Sequence, residues 1–224
     1  MQNLDRTLNA LFEKRLNTSD RKNGFFIGIG GGSASGKTTV AQQMQKNLNG
    51  LNVLLINQDR FFKPPKEMPP YWSTIYGEYR PDYNQPDSFY VDRMIRYCQN
   101  VNGADVAILE GILVLHFPEL RDLMDLKLFI HADPDERIIR RIKRNLARWS
   151  YDEITNYYLE SVRYQHQRFC EPTRAFADLV IPGGRAHDAE RNQMVREICG
   201  AIREHLSIHA HWAVSQDQSQ LGGR

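Results

Sequence analysis

The run Gly31-Gly32-Ser33-Ala34-Ser35-Gly36-Lys37-Thr38 narrows the fold more than any other part of this 224-residue sequence. It satisfies G-x-x-x-x-G-K-[ST] at every position, a match that average composition would give by chance in about one such chain in a hundred. The apolar run Phe25–Ile29 precedes it and a helical pattern over Thr38–Leu48 follows. Phosphates need bare backbone N–H groups pointing into a small nest, which side chains would obstruct; hence the glycines. The N–H groups from Gly31 through Gly32, Ser33, Ala34, Ser35 and Gly36 to Thr39 are placed to cradle a donor's phosphates. Lys37 reaches their β and γ oxygens, and the Thr38 hydroxyl is positioned for Mg²⁺. A dinucleotide-binding turn fails on its own terms: counted from Gly28-x-Gly30, the third glycine position holds Ser33.

Four more short apolar runs, Val53–Ile56, Val106–Leu109, Leu126–Ile130 and Leu179–Ile181, alternate with helical patterns. They predict an α/β fold of the P-loop NTPase type: a doubly wound parallel sheet of five strands, with active residues at the strands' C-terminal ends. Helices are expected at Leu4–Leu16, Asp87–Asn100, Asp135–Arg148, Asp152–Phe169 and Asp188–His205. The chain divides into an N-terminal helix (1–22), one P-loop domain (23–208) and a frayed tail (209–224). Residues 61–90 hold six of the ten prolines and nine aromatics. Prolines oppose regular structure and aromatics demand burial or a ligand, so a functional loop is expected rather than disorder.

Charge and cysteine content exclude several classes. Twenty-nine basic and 27 acidic residues leave a net charge of +2, unlike a polybasic nucleic-acid binder or an acidic tail protein. Cys98, Cys170 and Cys199 are too scattered for a disulfide framework or a metal knuckle and read as packed thiols. No apolar run approaches a membrane span, and Met1–Ala10 carries no secretory core. A cytoplasmic protein with no nucleic-acid or membrane partner is expected.

A phosphate loop does not say what is done with the nucleotide. The Asp-x-x-Gly and Asn-Lys-x-Asp strings of GTPases are absent, and the third apolar run ends Leu109-Glu110-Gly111 rather than in the Asp-Glu usual for motor ATPases. Asp59 follows the second run, where a βαβ unit would hold a phosphoryl acceptor beside the phosphate loop. A carboxylate there can take an alcohol's proton or hold Mg²⁺. Glu110 is a second carboxylate at the same sheet edge and a candidate metal or water ligand. Asp135–Arg148 carries two overlapping rows, Arg140, Arg144 and Arg148, and Arg137, Arg141 and Arg144. Beside a phosphate loop these read as arginines of a lid, about 135–152, that neutralises migrating charge and excludes water. Trp149 fits either a base-stacking role or a packed lid anchor. His205 and His209, four apart, read as a surface pair.

Residues 25–184 resemble the uridine kinases and the wider phosphoribulokinase/uridine kinase group. The matching strings are Gly31–Thr38, Gln58-Asp59-Arg60-Phe61-Phe62, Tyr83–Phe89, Glu110-Gly111-Ile112-Leu113, Asp133–Arg144, and Phe169–Thr173 through Ala177–Gly184. The resemblance implies a kinase with ATP or GTP as donor and Mg²⁺, Asp59 as base, Glu110 as metal ligand and Arg140, Arg144 and Arg148 as lid residues. It also implies that Pro182–Arg185, with Gly183 and Arg185, lies near the donor base, and that Asp59, Phe62, Tyr83 and Asn84 face the acceptor, a ribonucleoside's 5′-hydroxyl. Homo-oligomers occur in the group. Asn84 stands where uridine kinases carry an aspartate that holds ribose hydroxyls, so Asn84→Asp is expected to tighten nucleoside binding. Arg96–Asp105 is too short for the group's base-gripping hairpin, Ala147–Ser150 replaces an Arg-Gly-Arg lid string, and Tyr157 replaces a pyrimidine-reading glutamine. Gln58–Pro64 looks more like nicotinamide riboside kinases. Nicotinamide riboside, pantothenate and a sugar phosphate are therefore alternative acceptors, and a nucleotide-sensing module is the non-enzyme alternative.

Overall fold

The computed structural model describes residues 2–16 and 24–221. Its first half runs α1 (Gln2–Leu16), β1 (Phe25–Gly31), α2 (Lys37–Asn47), β2 (Val53–Asn57), β3 (Pro70–Ser73), β4 (Glu78–Pro81) and α3 (Val91–Gln99). The second runs β5 (Val106–Glu110), α4 (Pro118–Arg121), β6 (Leu126–His131), α5 (Pro134–Asn145), α6 (Tyr151–Tyr157), α7 (Arg163–Gln165), β7 (Leu179–Pro182) and α8 (Asp188–Leu221). The main sheet is parallel throughout, in the order β2-β5-β1-β6-β7. The five expected strands all form, each within a residue or two of its apolar run. β1 lies at the centre with β5 and β6 on either side, the reversal of winding direction at which α/β sheets open a ligand crevice.

Side chains alternate across the sheet and build a core on each face. Phe25, Ile27 and Ile29 point towards α1, α2 and α8, where Phe12, Met44 and Ile198 are buried with them. Phe26, Leu109 and Phe129 point the other way, onto Phe61, Met94 and Leu120. On that second face β1 carries Gly28 and Gly30. A Cβ at Gly28 would sit 2.1 Å from Met124 Sδ, so the bare backbone is what lets the segment after α4 lie against the central strand.

Four local differences from expectation have plain physical causes. The proline-rich loop contains a hairpin, β3–β4, whose terminal pair is Pro70 with Pro81. The prolines sit at the strand ends, where a missing N–H costs little, rather than in its middle. The helix expected over Asp152–Phe169 is not one regular α-helix: α6 continues without a break through a π turn (Tyr158–Val162), α7 and a second π turn (His166–Cys170). α8 runs to Leu221 instead of yielding to a tail at 209, since no Gly or Pro interrupts residues 201–221; residues 222–224 lie outside the described part. His205 is not on the surface. It is 4% exposed and stacks on Phe12 at 4.7 Å, under the cover of α1; the His209 side chain lies outside the described part. The three cysteines are buried free thiols, their pKa values pushed up to about 12 by burial. Among the described residues no helix is long and apolar enough to cross a membrane.

Candidate active site

β1 delivers the chain into the phosphate loop, and α2 leaves it. Gly36 caps α2 with φ 106°, and no side chain satisfies the helix's first N–H groups. Those donors and the dipole make an anion site of the loop. Ala34 also adopts a left-handed conformation, φ 64°, rare for a residue with a side chain. The Lys37 ammonium donates to Gly32 O at 3.0 Å and is buried. Burial pulls its pKa down, and the nearby Glu110, Cys170 and Asp59 oppose that shift.

Parallel register sets Glu110 beside Ile29 on one side and Asn57 on the other. The three strand ends thereby bring one polar cluster to the loop's mouth. Glu110 Oε1 accepts from Thr38 Oγ1 at 3.0 Å and from Asn57 Nδ2 at 2.8 Å. Asn57 in turn accepts from the Asp59 backbone N–H at 2.7 Å, capping the short turn that presents Asp59. Burial raises the pKa of both carboxylates. Lys37 pulls each back down, joined by Arg144 at Asp59 and the Thr38 hydroxyl at Glu110. Thr38, Glu110 and Asp59 are hard oxygen donors facing one cavity. One or two carboxylates alongside substrate phosphates is the donor set Mg²⁺ takes, so these residues fit that ion.

The opposite wall is aromatic. Phe62 stacks on Phe89 at 4.4 Å and meets the Tyr83 ring edge-on at 5.3 Å. The Tyr157 hydroxyl accepts from the Tyr83 backbone N–H and from Asn84 Nδ2, and Trp149 stands 6.0 Å from its ring. Burial holds the Tyr157 phenol neutral by raising its pKa. From α5, Arg141 and Arg144 reach over the loop to Ser33 Oγ at 3.0 and 3.4 Å.

One cavity of about 470 Å³ is lined by Ser33, Ala34, Lys37, Thr38, Asp59, Phe62, Tyr83, Asn84, Glu110, Arg144 and Arg148 of the expected residues. Arg140 is not among them. Its guanidinium is held by Glu136 at 2.6 Å, Gly183 O at 2.8 Å and Ala34 O of the phosphate loop at 3.4 Å, and the cavity arginine one residue on is Arg141. The two rows of basic residues differ by one step of the helix, about 100°, and only packing decides which faces in. Gly183 and Arg185 lie behind the loop rather than in this cavity. Arg185 N donates to Glu136, and a Cβ on Gly183 would meet Ser35 O. Asn57 lines the cavity without having been singled out, its sequence signal being a polar residue that ends an apolar run. Tyr157, noted only as standing in place of a pyrimidine-reading glutamine, lines it too.

The model of the phosphoribulokinase/uridine kinase family matches residues 75–190. A uridine kinase of Bacillus subtilis (strain 168) is 35% identical, the match covering 79% of this chain and 94% of that protein. A uridine kinase of Bacillus anthracis is 31% identical over 81% of this chain and 96% of its own. Among solved structures, the phosphoribulokinase from Rhodobacter spheroides shares the fold, with a TM-score of 0.54 at 14% identity, covering 72% of this chain and 71% of that one. A kinase fold, a nucleotide-donor site and these relatives converge: the chain belongs to the phosphoribulokinase/uridine kinase family.

Proposed function

We propose that this protein transfers the γ-phosphoryl group of ATP or GTP to the 5′-hydroxyl of a ribonucleoside of the uridine or cytidine type. The observation that carries the proposal is the shared cavity, which Asp59 lines together with the phosphate loop and with Phe62, Tyr83 and Asn84. The relatives named uridine kinase point to the same acceptor. On this reading the loop from Gly31 to Thr39 and Lys37 hold the donor phosphates, with Gly183 and Arg185 behind them. Thr38, Glu110 and Asp59 would hold Mg²⁺, which supplies charge neutralisation to the triphosphate. Asp59 takes the proton from the attacking hydroxyl, its raised pKa making it the stronger base. Phe62 and Tyr83 offer faces for a base, and Asn84 offers a polar contact for the ribose.

The segment from α5 to α6 serves as a lid. Arg141, Arg144 and Arg148 then close on the transferring group, and a capping box at Ser150 and Glu153 fixes where the second lid helix starts. Buried free thiols suit a cytoplasmic setting. A coupled ADP-release screen with uridine, cytidine, nicotinamide riboside, pantothenate and ribulose 5-phosphate tests the proposal. Turnover of uridine or cytidine well above the others is the expected result. Turnover of another acceptor with none of either nucleoside refutes it.

A further inference from the structure

Asp82 follows β4 directly, is fully buried, and does not line the cavity. Its Oδ1 accepts from the Asn84 backbone N–H at 2.9 Å, from Asn84 Nδ2 at 3.1 Å and from Ser161 Oγ at 2.7 Å. Its Oδ2 accepts from Gln85 Nε2 and Gln165 Nε2, each at 3.0 Å. All five donors are uncharged. A buried carboxylate is tolerated only where its surroundings turn donors towards it, and this pocket is made of them. Three of the donors come from the loop that faces the acceptor, and two come from the helical rod of α6 and α7.

The effect on Asn84 is specific. An amide nitrogen carries two hydrogens. One goes to Asp82 and the other to the Tyr157 hydroxyl at 2.8 Å. Both donors are spent, so the amide presents its oxygen, and only its oxygen, to the cleft. The orientation is dictated from behind, by a residue that never meets the acceptor.

We infer that Asp82 is a positioning residue for the acceptor: it sets the Asn84 amide with its oxygen towards the acceptor's hydroxyls and fastens the acceptor loop to the α6–α7 rod. The inference rests on the nucleoside kinase reading. It also reverses the expectation for Asn84→Asp, because a carboxylate at 84 would face the Asp82 carboxylate. Asp82→Asn alone fails in the opposite sense, setting an amide N–H against donors. Exchanging both residues restores one donor and one acceptor across the pair.

Steady-state kinetics with uridine varied at saturating donor test this, with thermal melts to verify folding. Asp82→Asn and Asn84→Asp should each raise the uridine KM by about tenfold, with kcat and donor KM within about threefold of wild type. The double variant should bring the uridine KM back to within about threefold of wild type, a coupling that independent sites do not show. Additive losses in the double variant, or losses that fall on kcat or donor KM, overturn the inference. If Asp82→Asn does not fold, Ser161→Ala removes one donor without touching the cavity lining. It should raise the uridine KM by about two- to fivefold at constant kcat, and an unchanged KM overturns the inference. A wild-type protein inactive on uridine and cytidine refutes the nucleoside reading instead. The same KM pattern is then read on whichever acceptor the screen returns, and its absence there overturns the role of Asp82.

Discussion

Replacing Asp59 with Asn should separate activity from stability. The substitution keeps the side chain's shape, and the bond from the Asp59 backbone N–H to Asn57 does not involve the carboxylate. The turn therefore stays in place while the proton acceptor and its charge are lost. Loss of a general base removes about 10²–10⁴-fold of rate, equivalent to about 3–5 kcal/mol of barrier. Stability should move the other way or not at all. Burial raises the pKa of Asp59 above its ordinary 3.8, with Lys37 and Arg144 opposing. A carboxyl whose folded pKa exceeds its unfolded value binds protons more tightly when folded, so stability falls as pH rises through that window. At neutral pH the ionised group is thus a burden on the fold, and the neutral amide lifts it. The assay pairs single-turnover phosphoryl transfer with thermal melts at pH 7, and adds a pH–rate profile between pH 4 and 8. The expected result is transfer lowered by at least about 10²-fold, a Tm no lower than wild type, and an acid limb that keeps only the contribution of Glu110, whose pKa burial also raises. A Tm several degrees lower would refute the stability argument, and transfer within about tenfold of wild type would falsify the assignment of Asp59 as base.

Lys37→Met keeps the stem and removes the cation, and kcat should fall by about 10²-fold or more; near-normal turnover would sink the donor-site reading. Glu110→Gln removes a charge from the Thr38–Asn57 cluster. The Mg²⁺ concentration for half-maximal rate should rise by about tenfold, read from a metal titration at fixed donor. Arg141→Met should cost more kcat than Arg140→Met, because Arg141 reaches into the cavity while Arg140 is held by Glu136 and Gly183; the reverse order would return the catalytic role to Arg140. Gly28→Ala drives a methyl into Met124 and should destabilise by about 1–3 kcal/mol in denaturant melts without changing KM.

What could be read from the sequence was whatever depends on local pattern. Each of the five strands is a short apolar run, and the phosphate loop is specified by residues that are neighbours in the chain. Glu110 and Asp59 were placed at the same edge because the βαβ topology fixes where strand ends go. Features that need a third dimension were not legible. Whether Arg140 or Arg141 faces the cleft depends on a single helical step set by the packing of α5. The burial of His205 depends on α1, nearly 200 residues away in sequence. The hairpin escaped because its prolines, read as breakers, happen to mark its ends. Asp82 escaped because its five donors are drawn from two segments about 80 residues apart, and nothing near it in sequence marks it as the buried carboxylate.

The two π turns beyond α6 give that rod an unusual relation between residue number and direction. In a regular α-helix, with 3.6 residues per turn, positions four apart drift by about 40°, so Tyr157, Ser161 and Gln165 would fan out over about 80°. The wider turns slow the rotation, and all three meet the same short stretch at residues 82–84. The rod works as a rack cut at a pitch of four. Removing one residue from Tyr158–Val162 would let the backbone relax into ordinary helix, a change the fold could absorb. Teeth beyond the cut would keep their direction, since a π turn is an α-helix with one residue inserted, and Ser161 inside the turn would be the tooth displaced from the loop it engages. The turn is therefore specified by how many residues it contains as much as by which residues they are.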